Sequence, residues 1–299
     1  IGGPQSKDGQ LFNAYYLLDG GEITSVGHKH ELPNFNVFDE VRHYTSAPLQ
    51  GPISVRGVRI GFPICEDAWH EDVAEAMEES GAEMLFVPNG SPYFRGKFDV
   101  RMSHMVARVV ETGLPLVYLN MVGGQDDQIF DGGSFVLNKG GALALQMPLF
   151  DQALSHIDFT RTADGWRAVE GEITAQPCTE EQDYRAMVEG LRDYMGKTGF
   201  SKVLLGLSGG IDSAIVATIA ADALGPENVR CVMLPSEYTS RASLDDAGEV
   251  ANLLGWTLDE GSIAGPRAAV TEALAPLVAG LGGGLTEAKR PSRGGGVWV

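Results

Sequence analysis

The chain reads as two successive α/β units, and three observations predict this. Short apolar runs at residues 58–64, 83–88 and 116–121 enclose helical patterns at 71–80 and 98–111, so strands and crossover helices should pack in layers. From residue 202 to 279 a stricter strand-helix alternation has the pattern of a doubly wound sheet. Between them, over residues 164–182, apolar periodicity falls and polar turn residues gather. The expected division is a first domain at 1–165, a linker at 166–182 and a second domain at 183–299.

Each element has a local reason. An apolar run around Tyr15 and Leu18 meets Asp19-Gly20-Gly21 and resumes to Ser25, the signature of a β-hairpin. Phe98, Met102, Met105, Val106, Val109 and Val110 recur near the 3.6-residue period of one helix face. Asn138-Lys139-Gly140-Gly141, between apolar runs at 135–137 and 142–145, is a second hairpin signal. Tyr184, Met187, Leu191 and Met195 share a helical face that opens the second unit. From Gly280 onward the chain is Gly-rich and carries no core pattern.

Composition narrows the function. With 299 residues, 43% hydrophobic and 21% charged, the chain can bury a real core. Its 40 acidic against 22 basic residues leave a net charge of -18, which repels nucleic acid and anionic lipid while leaving room for a local anion site made of backbone N–H groups. The three cysteines, Cys65, Cys178 and Cys231, lie too far apart for a zinc or disulfide pattern, and a reducing cytoplasm is expected. No leader or membrane-length apolar run is legible, and the chain opens at Ile1 without an initiating Met, so an interior portion of a longer polypeptide is expected.

The strongest motif follows the predicted strand at 203–207. It runs through Ser208-Gly209-Gly210-Ile211-Asp212-Ser213 into an apolar helix over 214–224. Paired glycines let backbone N–H groups approach an anion, and the helix dipole favours negative charge there. The Ser208 and Ser213 hydroxyls can donate to phosphate, and the Asp212 carboxylate can hold Mg²⁺ against it. A plain strand-to-helix turn with Asp212 as N-cap is the alternative. The loop lacks the Lys of a Walker loop and the GxGxxG fingerprint. It resembles the SGGxDS loop of the ATP pyrophosphatase family, and VMLPSEYTS at 232–240 with SLDDA at 243–247 resembles that family's NAD synthetase branch. The resemblance implies that Gly206, Leu207, Ser208, Gly209, Gly210, Ile211, Asp212 and Ser213 hold the ATP phosphates, with Leu234, at the end of a strand over 229–234, beside the adenine. A plain core strand explains those apolar residues equally well.

In the first half, Cys65 follows a strand and opens PICEDAW at 63–69, where a nucleophile would face a cleft. Most lone cysteines are inert small hydrophobes. The segment resembles the nucleophile region of the nitrilase superfamily, in particular the glutaminase domain attached to NAD synthetases, and KHELPNF at 29–35 with VFDE at 37–40 resembles the same domain, Phe35 standing where Tyr is usual. The resemblance implies that Lys29 supports the oxyanion and keeps the thiol anionic, and that Glu40 orients Lys29; taken alone, these two would be a surface lysine and an exposed acid. NGSPYFRGK at 89–97 resembles the glutamine-holding loop, with Ser91 and Lys97 contacting substrate, Phe35 lining the pocket and Glu66 beside them. DDQIFDGGSF at 126–135 resembles a shaped hairpin near that site. His28 and His30 bracket the lysine, and no third metal ligand sits at a suitable spacing.

Together the resemblances cover residues 2–287 and imply a nitrilase-like α-β-β-α domain followed by a Rossmann-like adenine-nucleotide α-hydrolase domain. They imply ATP and Mg²⁺, with L-glutamine and deamido-NAD as the other substrates, and a homo-oligomer. Nitrilase-type chemistry also needs a glutamate base on an early strand. Asp8, Asp19 and Glu22, the acids before Lys29, do not match its motif, so the base is expected upstream of Ile1 and poor glutamine hydrolysis is expected of these residues alone. After Glu287 the family pattern gives way to AKRPSRGGGVWV, leaving the deamido-NAD pocket largely outside the chain. A hydrolase of another amide or nitrile, and a non-catalytic nucleotide-binding remnant, are the rival readings.

Overall fold

The computed structural model describes residues 1–236 and 239–278, and divides into one compact unit over Ile1–Ala186 and another over Met187–Val299. Glu237 and Tyr238 of the VMLPSEYTS segment, the Gly-rich tail and the AKRPSRGGGVWV terminus lie outside the described residues.

The first unit opens with an antiparallel sheet of β1 (Gly2–Lys7), β2 (Gln10–Asp19) and β3 (Glu22–His28). The expected hairpin is β2–β3. Its Gly20 and Gly21, at φ 60° and 85°, take the left-handed backbone that a two-residue turn requires. After the single helical turn α1 (Glu40–His43) come β4 (Ile53–Val55) and β5 (Val58–Gly61), then a 3₁₀ turn at Cys65–Trp69, α2 (Glu71–Glu79), β6 (Met84–Asn89), α3 (Lys97–Thr112) and β7 (Leu116–Asn120). The pair β8 (Val122–Gln125) and β9 (Gln128–Asp131), the pair β10 (Phe135–Asn138) and β11 (Ala142–Gln146), and the pair β12 (Phe159–Thr162) and β13 (Gly165–Ala168) complete the unit.

Strands β11-β10-β7-β6-β5-β4 form one sheet, parallel where α2 and α3 cross over (β5-β6-β7) and antiparallel outside them. Val73, Ala74 and Met77 of α2 and Met105 and Val109 of α3 pack on Leu85, Val87, Leu116, Tyr118 and Leu137 of the sheet. Burying one such leucine contributes about 2 kcal/mol. Val110 departs from the expected stripe and is exposed, because the face that meets the sheet is centred on Met105 and Val109. On the sheet's other side, Phe62 bridges the rings of Tyr15 in β2 and Phe86 in β6 at 4.9 and 5.8 Å, so the small sheet stands against the large one in an α-β-β order.

Helix α4 (Thr179–Thr198) carries the boundary between the units. Met187 is 48% exposed, off the expected apolar face, while Val188 and Met195 are buried. Then β14 (Val203–Gly206), α5 (Ile211–Leu224), β15 (Val229–Met233), α6 (Arg241–Leu254), β16 (Thr257–Glu260) and α7 (Ala264–Val278) alternate as expected, and the strands pair in parallel in the order β14-β15-β16. Ala217 and Ala220 of α5 and Ala247 and Ala251 of α6 let the helices lie close on Cys231, Val229 and Leu207. Cys231 is thus a core residue, and all three cysteines are free thiols.

Candidate active site

The expected strand over 58–64 ends early, at Gly61, because the chain must turn to present Cys65. Cys65 sits at φ 51°, a left-handed conformation costing a side-chain-bearing residue about 1–2 kcal/mol. Asp67, 2% exposed, over-determines that turn. Its Oδ2 accepts the N–H of Ile64 at 2.9 Å, and its Oδ1 accepts those of Glu31 at 2.7 Å and His30 at 3.1 Å. Burial pushes the Asp67 carboxyl up to about 6 against the pull of those bonds and of Lys29. One buried carboxylate thereby ties the Cys65 turn to the segment after β3, where Lys29 stands.

Lys29, 1% exposed, is no surface lysine. Its Nζ donates to Glu40 Oε1 at 2.7 Å, while Glu40 Oε2 accepts from Asn13 Nδ2 of β2 at 3.2 Å. The side chain of Glu40 is 17% exposed, so it is a partner for the lysine and not an exposed acid. Cys65, Lys29, Glu40 and Asn13 line one cavity of about 820 Å³, walled by Tyr15, Phe38 and Phe86 among others. Burial pushes the half-buried Cys65 thiol up; Lys29 pulls it down, Glu66 and Glu40 push it up, and Lys97 pulls it down. The net direction is upward, with burial the largest cause and Lys29 opposing it.

The other expected glutamine-site residues stand off this wall. Phe35 is 50% exposed and meets Phe38 edge-on at 5.8 Å, and it is Phe38 that faces the cavity. Glu66 lies 3.8 Å from His70. Ser91 is buried, its N–H donating to Asn120 Oδ1 and its hydroxyl oxygen accepting from Arg101 Nε. Lys97, buried at the start of α3, lies over the rings of Trp69 at 4.3 Å and Phe94 at 4.6 Å, and burial followed by Arg101 holds its ammonium below the ordinary lysine range. Sequence reasoning missed Asp67, Asn120 and the buried Arg101–Asp131 pair at 2.8 Å, which braces Ser91. The Asp in CEDAW and the Asp in the 126–135 hairpin were visible signals, but polar residues in turns are normally solvated. Asp8, Asp19 and Glu22 are exposed and do not line the cavity, whose carboxylate among the described residues is Glu40.

In the second unit the glycine loop is built mainly of backbone. Helix α5 begins at Ile211, earlier than expected, so Ile211, Asp212 and Ser213 form its first turn, and Gly210, not Asp212, is the N-cap. Gly210 offers no side chain to the first-turn N–H groups, which point out of the helix end. Gly209 has φ 78°, and a Cβ there would stand 2.2 Å from the Ser243 carbonyl oxygen. Ser213 Oγ donates to Gly210 O at 2.9 Å and lies 3.1 Å from Ser208 Oγ, bracing the loop. Gly206 ends β14 on an exposed stretch, whereas Leu207 is buried and gives its N–H to Val232 O, leaving it no free donor for phosphate. Strand β15 stops at Met233, so Leu234 is half-buried just beyond it, against Gly261. Asp212 is exposed, as a carboxylate sharing a hydrated Mg²⁺ with phosphates would be.

No helix among the described residues is long and apolar enough to cross a membrane. Residues 1–167 match the carbon-nitrogen hydrolase family and residues 183–285 match NAD synthase. A glutamine-dependent NAD(+) synthetase from Rhodobacter capsulatus is 57% identical over 99% of this chain and 54% of its own, and one from Xanthomonas campestris is 41% identical over 99% and 54%. The solved glutamine-dependent NAD+ synthetase from Acinetobacter baumannii in complex with ADP is 36% identical with a TM-score of 0.93, covering 99% of this chain and 56% of that one. The chain spans about half the length of the curated relatives it matches. With more than half of its residues in the match, the chain belongs to the carbon-nitrogen hydrolase family, and an NAD synthase domain follows on the same polypeptide.

Proposed function

We propose that this chain contributes to the ATP-dependent amidation of deamido-NAD to NAD, the ammonia coming from L-glutamine and the other products being AMP, pyrophosphate and glutamate. What carries the reading is the pairing, on one polypeptide, of a cavity that gathers Cys65, Lys29 and Glu40 with the SGGIDS loop at the start of α5. In the first unit the Cys65 sulfur attacks the amide carbon, the C–N bond breaks, ammonia leaves with the proton it needs, and water frees glutamate from the thioester. The Lys29 ammonium, aimed by Glu40, offsets the negative charge on the tetrahedral oxygen. Because burial raises the thiol, a base must take its proton; Glu40 is held by Lys29 and Asn13 and serves orientation.

Ser91, Lys97, Phe35 and Glu66 enter this proposal as parts of the glutamine site around the cavity. In the second unit the first-turn N–H groups and the Ser208 and Ser213 hydroxyls would face ATP phosphates, with Leu234 near the adenine. The residue that would hold Mg²⁺ is Asp212, and the ion's charge favours a leaving pyrophosphate. A homo-oligomer working in the cytoplasm completes the proposal. The test is NAD formation by the polypeptide that carries this chain. Cys65→Ala should abolish formation from glutamine and leave formation from added ammonia intact. Undiminished glutamine-driven synthesis in that variant contradicts the proposal, and hydrolysis of a different amide without any ATP requirement supports the amidase reading.

A further inference from the structure

We propose that His30, Glu31 and Asp72 form a binding site for a borderline divalent cation of the Zn²⁺ type. The three residues each bring a ligand atom to within 4.8 Å of the others. The adjacent pair His28/His30 does not make the site: His28 is bonded to Gln5 and Gln50, and the third ligand comes from the first turn of α2 instead of from β3. Spacing along one strand could not show this, because the contact joins residues more than 40 positions apart.

The site is prepared from outside the cluster. His30 Nδ1 lies 2.5 Å from the Ala47 carbonyl oxygen. A carbonyl can only accept, so Nδ1 carries the hydrogen and Nε2 is the nitrogen left facing Glu31 Oε1 at 3.6 Å. This is the second-shell arrangement that fixes the tautomer and raises the basicity of metal-binding imidazoles. The backbone N–H groups of both His30 and Glu31 are held by the buried Asp67 carboxylate, so two of the three ligands stand on an immobilised segment. Asp72 Oδ1 accepts from the Val73 N–H at 3.0 Å, which orients the third.

Nε2 facing two carboxylates calls for a positive charge among them, which either a second ring proton or a bound cation supplies. Imidazole nitrogen with two carboxylates suits Zn²⁺ or a similar first-row ion better than Mg²⁺ or Ca²⁺, which favour all-oxygen shells. His30 and Glu31 are partly exposed and Asp72 is exposed, which leaves room for water to complete a four-coordinate shell. The bound ion would cross-link the segment carrying Lys29 to the helix that follows the Cys65 turn.

The test is a calorimetric titration of ZnCl₂ into the chain, purified without a polyhistidine tag and in millimolar Mg²⁺. One saturable site is expected. His30→Ala and Asp72→Asn should each weaken it by about tenfold or more, and His28→Ala should leave it unchanged. Co²⁺ in place of Zn²⁺ should give visible d–d bands without a thiolate charge-transfer band, and Zn²⁺ should raise the Tm of the wild-type chain but not of His30→Ala. Absence of saturable binding, affinity indifferent to His30→Ala, or a thiolate band that disappears in Cys178→Ser overturns the proposal; the first result would mean that a proton alone bridges the cluster. Asp72 lies on an exposed helical turn, so its variant keeps the test decisive if His30→Ala fails to fold.

Discussion

The thiol cavity of the first unit and the glycine loop of the second are made in opposite ways. The cavity depends on charged side chains taken out of water: Lys29 on Glu40, Asp67 on three backbone N–H groups, and Arg101 on Asp131 behind Ser91. The loop depends on backbone, with Gly209 tucked under the Ser243 carbonyl and with Asp212 and Ser208 in solvent. A site for covalent chemistry must aim one atom in a low-dielectric pocket, so its partners are buried and mutually dependent. An anion cradle needs only N–H groups pointing one way, and a helix end supplies these.

The contrast can be broken or sharpened by removing one charge at a time. Glu40→Gln should be the most damaging, because it leaves Lys29 buried without its carboxylate; a loss of about 3–5 kcal/mol in urea denaturation of the first unit is expected. Next is the pH dependence of Asp67, whose carboxyl titrates near 6 in place of its ordinary 3.8. Between those values the folded chain keeps a proton that the unfolded chain has lost. The contribution of this group to stability is therefore full below pH 3.8, falls as pH rises toward 6 and is flat above, a span of about 3 kcal/mol. Asp67→Asn should flatten that slope in denaturation midpoints measured across the window.

Gly209→Ala should cost the second unit about 1–3 kcal/mol, from its positive φ and the clash with Ser243 O, and should abolish ATP binding by titration. Asp212→Asn is the smallest case. Its effect on stability should stay within about 0.5 kcal/mol, while ATP binding weakens in Mg²⁺ and is unchanged in EDTA. Equal destabilisation by Glu40→Gln and Asp212→Asn would erase the distinction between the two sites.

The same contrast explains what could be read from the sequence. The SGGIDS loop was legible because its chemistry is local: glycines, hydroxyls and a helix start lie in consecutive residues. Strand and helix order followed from periodicity in both units, with errors at ends such as Gly61, where the strand stops short before the Cys65 turn, and Ile211, where the helix starts inside the glycine loop. Cys65 and Lys29 could be paired only through resemblance, since 36 positions separate them. Asn120, Arg101 and the His30-Glu31-Asp72 cluster carried no local signal, and Asp67 only its place in CEDAW; their roles arise from contacts between distant segments, and as residue types they are ordinarily solvated. The push of burial on the Cys65 thiol, opposed by the pull of Lys29, likewise has no local signal, because burial is a property of the folded wall.

The most direct test of the thiol site is alkylation of the chain by an electrophilic diazoketone analogue of glutamine, followed by peptide mass spectrometry. The chain contains its own controls in exposed Cys178 and buried Cys231. Recognition of glutamine at the cavity predicts one adduct, on Cys65, suppressed by excess L-glutamine and reduced in Lys29→Met. Labelling that favours Cys178, or labelling of Cys65 that L-glutamine does not slow, would contradict the account.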